Sequence, residues 1–539
     1  MNTAVLRTSI VVIGLASLTQ LAVAQSKTPT PPYPDFEHFV AHVQATHRAP
    51  FDRDSVRLPQ GAATQLMKRV AAAKTLASGA AAASAAGAHN VKVNQDRNPW
   101  PKAEVGSAVD PVTGQNYVVM TNDFRENWDY QFYHPSTDGG ATFTDDAMVG
   151  GFDPVTGGIP MTFQSDPGVA FDSVGHSILS TITGNAIFDF SGDGYINQDT
   201  EVEVAEGFAN GTYTSLIPMV VDFQPCSGTF ITFNCAIQLD KPLITVDNVP
   251  GSSHKGTIYV YYTVFCVQST PCKDGSATIP GFSSSIVESH APGAGLAFSP
   301  PKLVSGWHSQ EQFSSLVIDS HGTPHMFFDD FTLLSGVVRM FESTYNGTSW
   351  KLGAAPVASF NFFGTASLNW GFRNFGTVAP GCGIHGDTAY CAFSANQIVG
   401  GPLESGVSAY VAVVHTLTGA SSVHRVNNDA FNDSKDHFFP WATAKANGSV
   451  YVGFYDDRND PFNTDVEYFV AKSTDGGKTF PTQNAVSDVA FNPCTGFPGC
   501  GFFGDYTQLV SGPDGVVHAA WSDTRDGVSM QVYSQAVTW

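Results

Sequence analysis

Three short motifs in this sequence carry an arginine two residues after an aspartate, at the end of an apolar run. They are Asp123-Phe-Arg125, Asp456-Asp-Arg458 and Asp523-Thr-Arg525. A guanidinium group presents its N–H donors in a planar fork that matches a carboxylate or a sulfate. If the fold brings the three arginines to one face, they form a cationic cluster able to bind such an anion. The alternative is that each arginine pairs with the aspartate of its own motif and holds a loop in place.

A second motif has the residue types of a calcium loop. Segment 189–201 reads Asp-Phe-Ser-Gly-Asp-Gly-Tyr-Ile-Asn-Gln-Asp-Thr-Glu, with Asp189, Ser191 and Asp193 at positions 1, 3 and 5 and glycine at position 6. An EF-hand-like loop supplies oxygen ligands at this spacing, although the acidic ligand Glu201 comes one residue late here. Calcium is therefore the one cofactor that the sequence suggests, and no other is expected. The alternative is a polar hairpin that holds no ion.

The composition limits the partners and the fold class. The 539 residues include 26 Lys and Arg against 48 Asp and Glu, a net charge of -22. Because so acidic a chain repels a phosphate backbone, nucleic acid is not expected as a partner. The chain has 52 Gly, 32 Pro and 40 Phe but only 14% charged residues. This composition is rich in turn formers and apolar enough to bury a large core, and it favours an all-β protein.

The first residues predict export. Arg7 precedes a mostly apolar stretch from Ile10 to Ala24, which ends in Ala-Val-Ala before Gln25. We interpret residues 1–24 as a signal peptide, with an uncleaved anchor as the alternative. No comparable apolar stretch recurs, so no membrane span is expected, and the protein should be secreted or periplasmic.

Cysteine usage agrees with an oxidising compartment. The eight cysteines fall into neighbouring pairs six or nine residues apart, which predicts four local disulfides. The pairs are Cys226 with Cys235, Cys266 with Cys272, Cys382 with Cys391, and Cys494 with Cys500. Zinc is the alternative, but no pair has the two-residue spacing typical of a zinc site.

Composition also divides the mature chain. Residues 25–90 are rich in proline and then in alanine and show no apolar stripe, so we expect a flexible arm. From residue 91 to 539 the sequence repeats an apolar run, a turn glycine and a second β-branched and aromatic run. The turn glycines lie about 65 residues apart, the spacing of a large repeat. They are Gly114, Gly175, Gly256, Gly322, Gly386, Gly448 and Gly515.

Each of these seven units has room for three or four short strands, which is the size of a propeller blade. The sequence therefore predicts a single all-β propeller, with seven blades favoured and six as the alternative. The last unit, from Gln508 to Trp539, holds only about three strands. We predict that Val91–Asp96, an alternating segment upstream of the first unit, supplies the fourth strand and closes the ring.

Two eight-residue segments fit the pattern Ser-x-Asp-x-Gly-x-Thr-aromatic, and a third fits it with Tyr345 in place of the aspartate. The intact copies run from Ser136 to Phe143 and from Ser473 to Phe480. In such a hairpin the aspartate accepts N–H groups of the turn, and glycine adopts a positive φ. From about residue 98 to its end, the sequence resembles the Asp-box (BNR-repeat) β-propellers of the sialidase superfamily.

The resemblance implies a set of catalytic residues. Sialidases use a tyrosine nucleophile, a glutamate that activates it, an aspartate acid/base and three arginines that clamp the substrate carboxylate. Tyr506 in Gly-Asp-Tyr-Thr-Gln resembles the nucleophile context, Glu311 the activating glutamate and Asp129 the acid/base. By the same resemblance, Arg125, Arg458 and Arg525 are the candidates for binding an anionic substrate.

The departures from that family bear on function. Its Phe/Tyr-Arg-Ile-Pro motif is absent, since Lys102-Ala-Glu-Val occupies that strand, and Asp329-Asp330 stands where the fourth unit should carry an arginine. Without a complete clamp, sialic acid would be bound and oriented poorly. We therefore predict a propeller that binds an extracellular glycan or protein and has no sialidase activity. The alternative is an extracellular glycoside hydrolase, similar to an exo-sialidase, that acts on a cell-surface or environmental glycan.

Overall fold

The structure is a computed structural model. It describes residues 90–125, 130–144, 152–153, 159–160, 163–187, 197–207, 219–227, 234–266, 268–293, 297–306, 310–331, 337–361, 368–372, 379–497 and 500–539. The regular elements in these ranges are β-strands, and no α-helix occurs among them. In the described part of the chain, no helix reaches the length and apolarity needed to cross a membrane. The predicted signal peptide and arm, apart from residue 90, lie outside these ranges.

Among the described residues the strands form nine antiparallel sheets, of which two are small two-stranded hairpins. Each of the other seven sheets is one blade of a seven-bladed β-propeller. The prediction of an all-β propeller with seven blades is confirmed. We number the blades in chain order and call their strands inner, second, third and outer. Consecutive inner strands contact each other around the ring, including those of blades 7 and 1.

The strands of blades 1 to 3 have the following bounds. Blade 1 consists of Lys102–Val109, Tyr117–Asp123 and Tyr130–Ser136. Blade 2 consists of Phe163–Phe171, Ser177–Ile187, Asn197–Gly207 and Met219–Ser227, with Asn234–Cys235 at its edge. Blade 3 consists of Ile237–Val246, Thr257–Cys266, Ser283–Pro292 and Lys302–Leu303. Two small hairpins pair Phe152–Asp153 with Ile159–Pro160 and Cys272–Asp274 with Ala277–Ile279.

The strands of blades 4 to 7 follow the same order. Blade 4 consists of Glu311–Ile318, Pro324–Asp330, Val337–Tyr345 and Trp350–Leu352, with Ala358–Asn361 also on its third strand. Blade 5 consists of Gly381–His385, Thr388–Ala395, Ser408–His415 and Ala420–Arg425. Blade 6 consists of His437–Ala444, Val450–Asp456, Glu467–Ser473 and Thr482–Ala485. Blade 7 consists of Gln508–Ser511, Val517–Asp523, Gln531–Val537 and the upstream strand Val91–Lys92.

Neighbouring blades pack face to face, so the second strands are buried on both sides. All seven residues are buried in Tyr117–Asp123, Pro324–Asp330, Val450–Asp456 and Val517–Asp523. This explains the β-branched and aromatic runs of the sequence, because a strand covered on both faces needs apolar residues at nearly every position. The seven turn glycines join inner to second strands, with φ from 59° at Gly386 to 90° at Gly175.

The two intact Ser-x-Asp hairpins share one set of hydrogen bonds. Asp138 accepts from the backbone N–H of Thr142 at 2.8 Å and from its hydroxyl at 2.6 Å. Asp475 accepts from the corresponding groups of Thr479 at 3.0 and 2.7 Å. Both hairpins follow a third strand, so they lie on the face where inner strands end. We call this the hairpin face, and the face where inner strands begin the channel face.

The predicted ring closure is confirmed at its first two residues. Val91 and Lys92 pair with Ser534 and Tyr533 of the last strand. Deleting residues 26–88 is therefore expected to leave the melting temperature nearly unchanged. Deleting residues 26–96 should lower it by several degrees, since the edge of Gln531–Val537 then loses its partner. Thermal unfolding followed by circular dichroism checks both, and equal melting temperatures for the two truncations would contradict the role of this strand.

Candidate functional site

The inner strands share an unusual position close to the channel face. In five blades a β-bulge interrupts the inner strand, and a residue there adopts a positive φ that side chains rarely tolerate. These residues are Glu104 (51°), Asp166 (59°), Lys241 (53°), Phe313 (54°) and Phe439 (50°). We call them the bulge residues. Strained backbone of this kind concentrates at functional sites, which makes this ring a candidate site.

The bulge residues divide the ring into two halves. Blades 1, 2 and 3 carry the charged residues Glu104, Asp166 and Lys241, whereas blades 4 and 6 carry Phe313 and Phe439. All five side chains are buried. The centre of the propeller is therefore filled by an ionic cluster on one side and by aromatic rings on the other.

Lys241 is the centre of the ionic cluster. Its Nζ lies 3.1 Å from Glu104 Oε1, 2.7 Å from Asp166 Oδ1 and 2.9 Å from Asp505 Oδ2. The four residues come from blades 1, 2 and 3 and from the segment just before the inner strand of blade 7. Asp166, Asp505 and Glu104 outweigh the effect of burial and raise the pKa of Lys241 well above its usual value. The amine is thus a permanent cation.

Two neighbours complete the cluster. Asn122 donates through Nδ2 to Glu104 Oε2 at 2.5 Å and accepts at Oδ1 from the Asp166 backbone N–H at 3.0 Å. The ring centroid of Tyr506 lies 5.4 Å from the Lys241 Nζ. The Tyr506 hydroxyl is buried and has no hydrogen-bond partner among the described residues, although the residue as a whole is partly exposed. Tyr506 is therefore the most exposed member of the cluster, since the other members are buried.

The charges of the cluster do not balance. Three carboxylates face one ammonium group, which leaves an excess of negative charge in a buried place. Burial, together with Glu104 and Asp166, raises the pKa of Tyr506 well above its usual value. The phenol therefore keeps its proton. Such a cluster accepts hydrogen bonds from a neutral partner and repels an anion.

The aromatic half is a packed set of rings. Phe372 lies 6.4 Å from Phe439 and 5.7 Å from Phe503, measured between ring centroids. Trp370 stacks on Phe372 at 6.2 Å, with its indole N–H donating to the Thr464 carbonyl at 3.1 Å. This carbonyl belongs to the loop between the second and third strands of blade 6. The aromatic half is thus linked directly to a loop of the channel face.

The three motif arginines occupy equivalent places in blades 1, 6 and 7. The Nε of each arginine donates a hydrogen bond to the aspartate of its own motif. The distances are 2.8 Å from Arg125 to Asp123, 2.6 Å from Arg458 to Asp456 and 2.9 Å from Arg525 to Asp523. Each also lies over an aromatic ring of the third strand and near an acid of the linker that precedes its blade. The rings are Phe132, Phe469 and Tyr533, and the linker acids are Asp96, Asp429 and Asp488. This geometry matches the alternative in which the arginines hold loops.

Replacing Arg525 with methionine is expected to destabilise the protein by about 2–4 kcal/mol, because the fully buried Asp523 would lose its cation. Urea unfolding followed by tryptophan fluorescence measures the change. The exposed Arg97 provides the matched control, and its replacement by methionine should change stability by less than about 0.5 kcal/mol. Equal stability of the two variants would contradict the ion-pair role.

The other predicted site residues have different outcomes. Tyr506 joins the ionic cluster, and Glu311 begins the inner strand of blade 4, where it accepts from the Ser305 hydroxyl at 2.7 Å. Asp129 lies outside the described residues, so the convergence of these three side chains stays a prediction.

Asp189, Ser191 and Asp193 of the predicted calcium loop also lie outside the described residues, and only the backbone of Glu201 is described, in a strand of blade 2. Calcium binding stays a prediction that melting curves in chelator and in millimolar calcium would test.

Three of the predicted disulfides are present, between Cys266 and Cys272, Cys382 and Cys391, and Cys494 and Cys500. The fourth pair lies in strands whose register sets Cys226 opposite Cys235. Cys382 and Cys391 likewise face each other across the inner and second strands of blade 5. This bridge therefore joins two neighbouring strands of one sheet.

The sequence interpretation missed Glu104, Asp166, Lys241 and Asp505. One signal was available, since proline follows Asp166, Lys241 and Phe439 within apparent strands. Proline cannot donate to a sheet, so inside a strand it marks a bulge. The ion pairs themselves join different blades, and no local pattern reveals them.

No protein-family profile matches this chain, and no curated protein sequence matches it. Solved structures of low identity are similar to it. An α-L-arabinofuranosidase of Fusarium graminearum is 9% identical, with 84% of this chain and 98% of that chain covered and a TM-score of 0.39. An intramolecular trans-sialidase of Ruminococcus gnavus is 10% identical, with 82% and 96% covered and a TM-score of 0.35. A sialidase of Streptococcus pneumoniae is 9% identical, with 82% and 69% covered and a TM-score of 0.38.

Proposed function

We propose that this propeller binds a neutral extracellular glycan at its channel face and has no sialidase activity. The observation that carries the proposal is the ionic cluster around Lys241, which is rich in acceptors and carries excess negative charge. Sugar hydroxyls donate hydrogen bonds well to carboxylates, and a neutral sugar suffers no charge repulsion there. Tyr506 adds a phenol whose hydroxyl has no partner in the described part of the chain.

The same cluster argues against sialic acid. A sialoside carries a carboxylate, and Lys241 is the cation of the cluster, already in contact with three acids. The three motif arginines are each committed to an aspartate of their own blade. A substrate carboxylate would therefore compete with these aspartates for the same cations, which weakens its binding.

The test compares binding and hydrolysis in the full chain. We expect a glycan array to show binding of neutral oligosaccharides in preference to sialosides, and a chromogenic sialoside to stay intact. Tyr506→Phe should weaken the binding of the best array ligand about 3- to 10-fold, since one hydrogen bond is lost. Tyr345→Phe is the matched control, because this hydroxyl contacts Lys302 in a distant part of blades 3 and 4. Turnover of the sialoside would refute the proposal, as would equal affinities of the two variants.

A second candidate function is hydrolysis of a neutral glycoside. Glu104 Oε1, Asp166 Oδ1 and Asp505 Oδ2 surround one nitrogen, so no two of these oxygens are more than about 6 Å apart. Retaining glycosidases hold two carboxyl groups at about 5–5.5 Å. A panel of neutral chromogenic glycosides distinguishes the two functions. Turnover that Asp166→Asn abolishes while binding persists would favour hydrolysis over binding alone.

A further inference from the structure

Two phenylalanines project into solvent from neighbouring loops of the channel face. Phe431 lies in the linker between blades 5 and 6 and is 43% exposed, and Phe462 lies in the loop after the second strand of blade 6 and is 80% exposed. Both belong to the same short motif, Asp-Ala-Phe-Asn at 429–432 and Asp-Pro-Phe-Asn at 460–463. A single exposed apolar residue needs no explanation, but two copies of one motif on adjoining loops do.

Hydrogen bonds hold the two loops together. Asn463 Nδ2 donates to the Ser434 carbonyl at 3.0 Å, and Lys435 Nζ donates to Asn463 Oδ1 at 2.5 Å and to the Asp457 carbonyl at 3.2 Å. Asp460 accepts from the backbone N–H groups of Phe462, Thr464 and Asp465 at 3.1, 2.6 and 2.9 Å. The rings are therefore presented on a fixed backbone, which lowers the entropic cost of binding a ligand.

Three residues of these loops adopt the left-handed backbone conformation. Asn432, Ser434 and Asn463 have φ values of 66°, 63° and 54°. Asn432 Oδ1 accepts from the backbone N–H of Ser405, which ties in a third loop, from blade 5. That loop carries another exposed apolar side chain, Leu403, at 60% exposure. The three loops are therefore connected by hydrogen bonds on the channel face.

A partial copy of the motif, which lacks the aspartate, has its phenylalanine ring turned inwards. Ala490-Phe491-Asn492 repeats the Ala-Phe-Asn of the first copy in the linker before blade 7. Phe491 is nevertheless buried, and its ring packs edge-on against Tyr455 at 6.1 Å. Phe431 and Phe462 lack such burial, although Phe431 has the Arg425 guanidinium 5.9 Å from its ring centroid.

The charged and amide residues around the two rings indicate which class of ligand can bind there. Segments 426–436 and 457–467 hold five partly exposed acids against one Lys and one Arg, and two further acids that are buried. The partly exposed acids are Asp429, Asp433, Asp460, Asp465 and Glu467. So acidic a surface disfavours anionic glycans and anionic lipid headgroups. Amide side chains accompany the rings, including the exposed Asn432 and Asn459. An apolar ring face next to amide and carboxylate groups matches a neutral sugar, whose C–H face is apolar and whose hydroxyls are polar.

The surface is also continuous with the candidate site. Thr464, two residues after Phe462, receives the Trp370 indole N–H, and Trp370 stacks on Phe372 of the aromatic half. Resting on the function proposed above, we infer that Phe431 and Phe462 form a second contact surface for the same neutral glycan. A polysaccharide that occupies the channel face would run outwards over blade 6 and stack sugar units on both rings. The surface therefore selects for long chains.

The test uses the full chain and the double variant Phe431→Ala/Phe462→Ala. Affinity electrophoresis in gels containing arabinan, xylan or dextran identifies a polysaccharide that retards the wild type. Titration calorimetry then compares that polysaccharide with its own tetrasaccharide. We expect the double variant to bind the polysaccharide at least tenfold more weakly and the tetrasaccharide unchanged, because two linked contacts raise affinity jointly. Val174→Ala/Leu417→Ala is the matched control, with side chains 67% and 64% exposed on the hairpin face.

The possible results of these measurements distinguish failure of the second surface from failure of the proposed function. Equal polysaccharide affinity of wild type and double variant overturns the second surface and leaves the proposed function standing. Absence of binding by the wild type to any of the three polysaccharides and to neutral array oligosaccharides overturns both. If sedimentation shows that the wild type self-associates and the double variant does not, with glycan affinity unchanged, the rings contact a second copy of this chain. The second surface is then also overturned.

Discussion

Replacing Lys241 with methionine is expected to lower the free energy of unfolding by about 3–5 kcal/mol, because a buried cluster of acids loses its cation. The variant keeps an unbranched side chain that is one atom shorter and removes the ammonium group that lies among Glu104, Asp166 and Asp505. Three buried carboxylates then repel one another without compensation. Because these acids belong to different blades, their repulsion acts on the ring as a whole. Guanidinium unfolding followed by tryptophan fluorescence measures the loss.

Two controls make this experiment decisive. The exposed Lys478 provides the matched substitution, and Lys478→Met should change stability by less than about 0.5 kcal/mol. Adding Glu104→Gln and Asp166→Asn to Lys241→Met should recover part of the loss, since the remaining acid then has no charged neighbours in the cluster. If Lys241→Met is as stable as Lys478→Met, the cluster does not hold the blades together. If the triple variant is no more stable than Lys241→Met, charge repulsion is not the cause.

Stability should also fall as the pH rises from about 6.5 to about 9, because His437 carries a proton in the folded protein. Its Nδ1 lies 2.8 Å from the Val407 carbonyl, and its Nε2 lies 3.1 Å from Asp429 and 3.4 Å from Asp456. Both ring nitrogens thus face acceptors, as an imidazolium requires. Burial alone would lower the pKa of His437, but Asp456 and Asp429 outweigh it and raise the pKa to about 9.

The sign follows from the two pKa values. The unfolded chain releases this proton near pH 6.5, and the folded protein keeps it until about pH 9. The stabilisation is complete below pH 6.5 and is lost as the pH rises through 9, a change of about 3 kcal/mol. Urea unfolding at pH 6, 7, 8 and 9 gives the slope. His437→Gln should flatten it, whereas the half-exposed His176→Gln should not. Equal slopes in these two variants would refute the assignment.

Three buried acids also lower the stability of the protein as the pH rises, over a lower pH range than His437. Burial raises the pKa of Asp457 to about 6, of Asp436 to about 7 and of Asp274 to about 8. For each of them the unfolded chain loses the proton near pH 3.8, whereas the folded protein keeps it up to the higher pKa. The free energy of unfolding therefore falls as the pH rises from about 3.8 to the folded pKa. The protein is therefore expected to be more stable in mildly acidic than in alkaline solution.

The repeat pattern predicted the ring because each blade is largely determined by local sequence. A turn glycine such as Gly448 must adopt a positive φ, and runs such as Val450–Asp456 suit strands that are buried on both faces. The last unit has room for only about three strands, which leaves one strand edge without a partner. Because unpaired edges are avoided, this indicated that Val91 pairs with the final strand. These features depend on residues close together in the sequence or on a missing partner.

The candidate site could not be predicted from local sequence patterns, because its residues are far apart in the chain. Lys241 meets Glu104 and Asp505 only because closing the ring brings blades 3, 1 and 7 together at the channel. The motif arginines were easier to notice, since Arg458 and its partner Asp456 are two residues apart. Yet their proximity in sequence reflects a local loop-holding role. For this fold, chemistry at the centre comes from residues far apart in the chain.

The closing strand also bears on the order in which the protein assembles. The Val532 backbone N–H donates to Asn94 Oδ1 at a separation of 438 positions. Contacts this distant form slowly, because the intervening chain must be organised before its ends meet. During synthesis the segment around Val91 emerges before its partner strand and must wait for it. Blade 7 is thus expected to be the last sheet to form, and amide protons of Gln531–Val537 should gain protection later than those of Val450–Asp456 in pulsed hydrogen exchange.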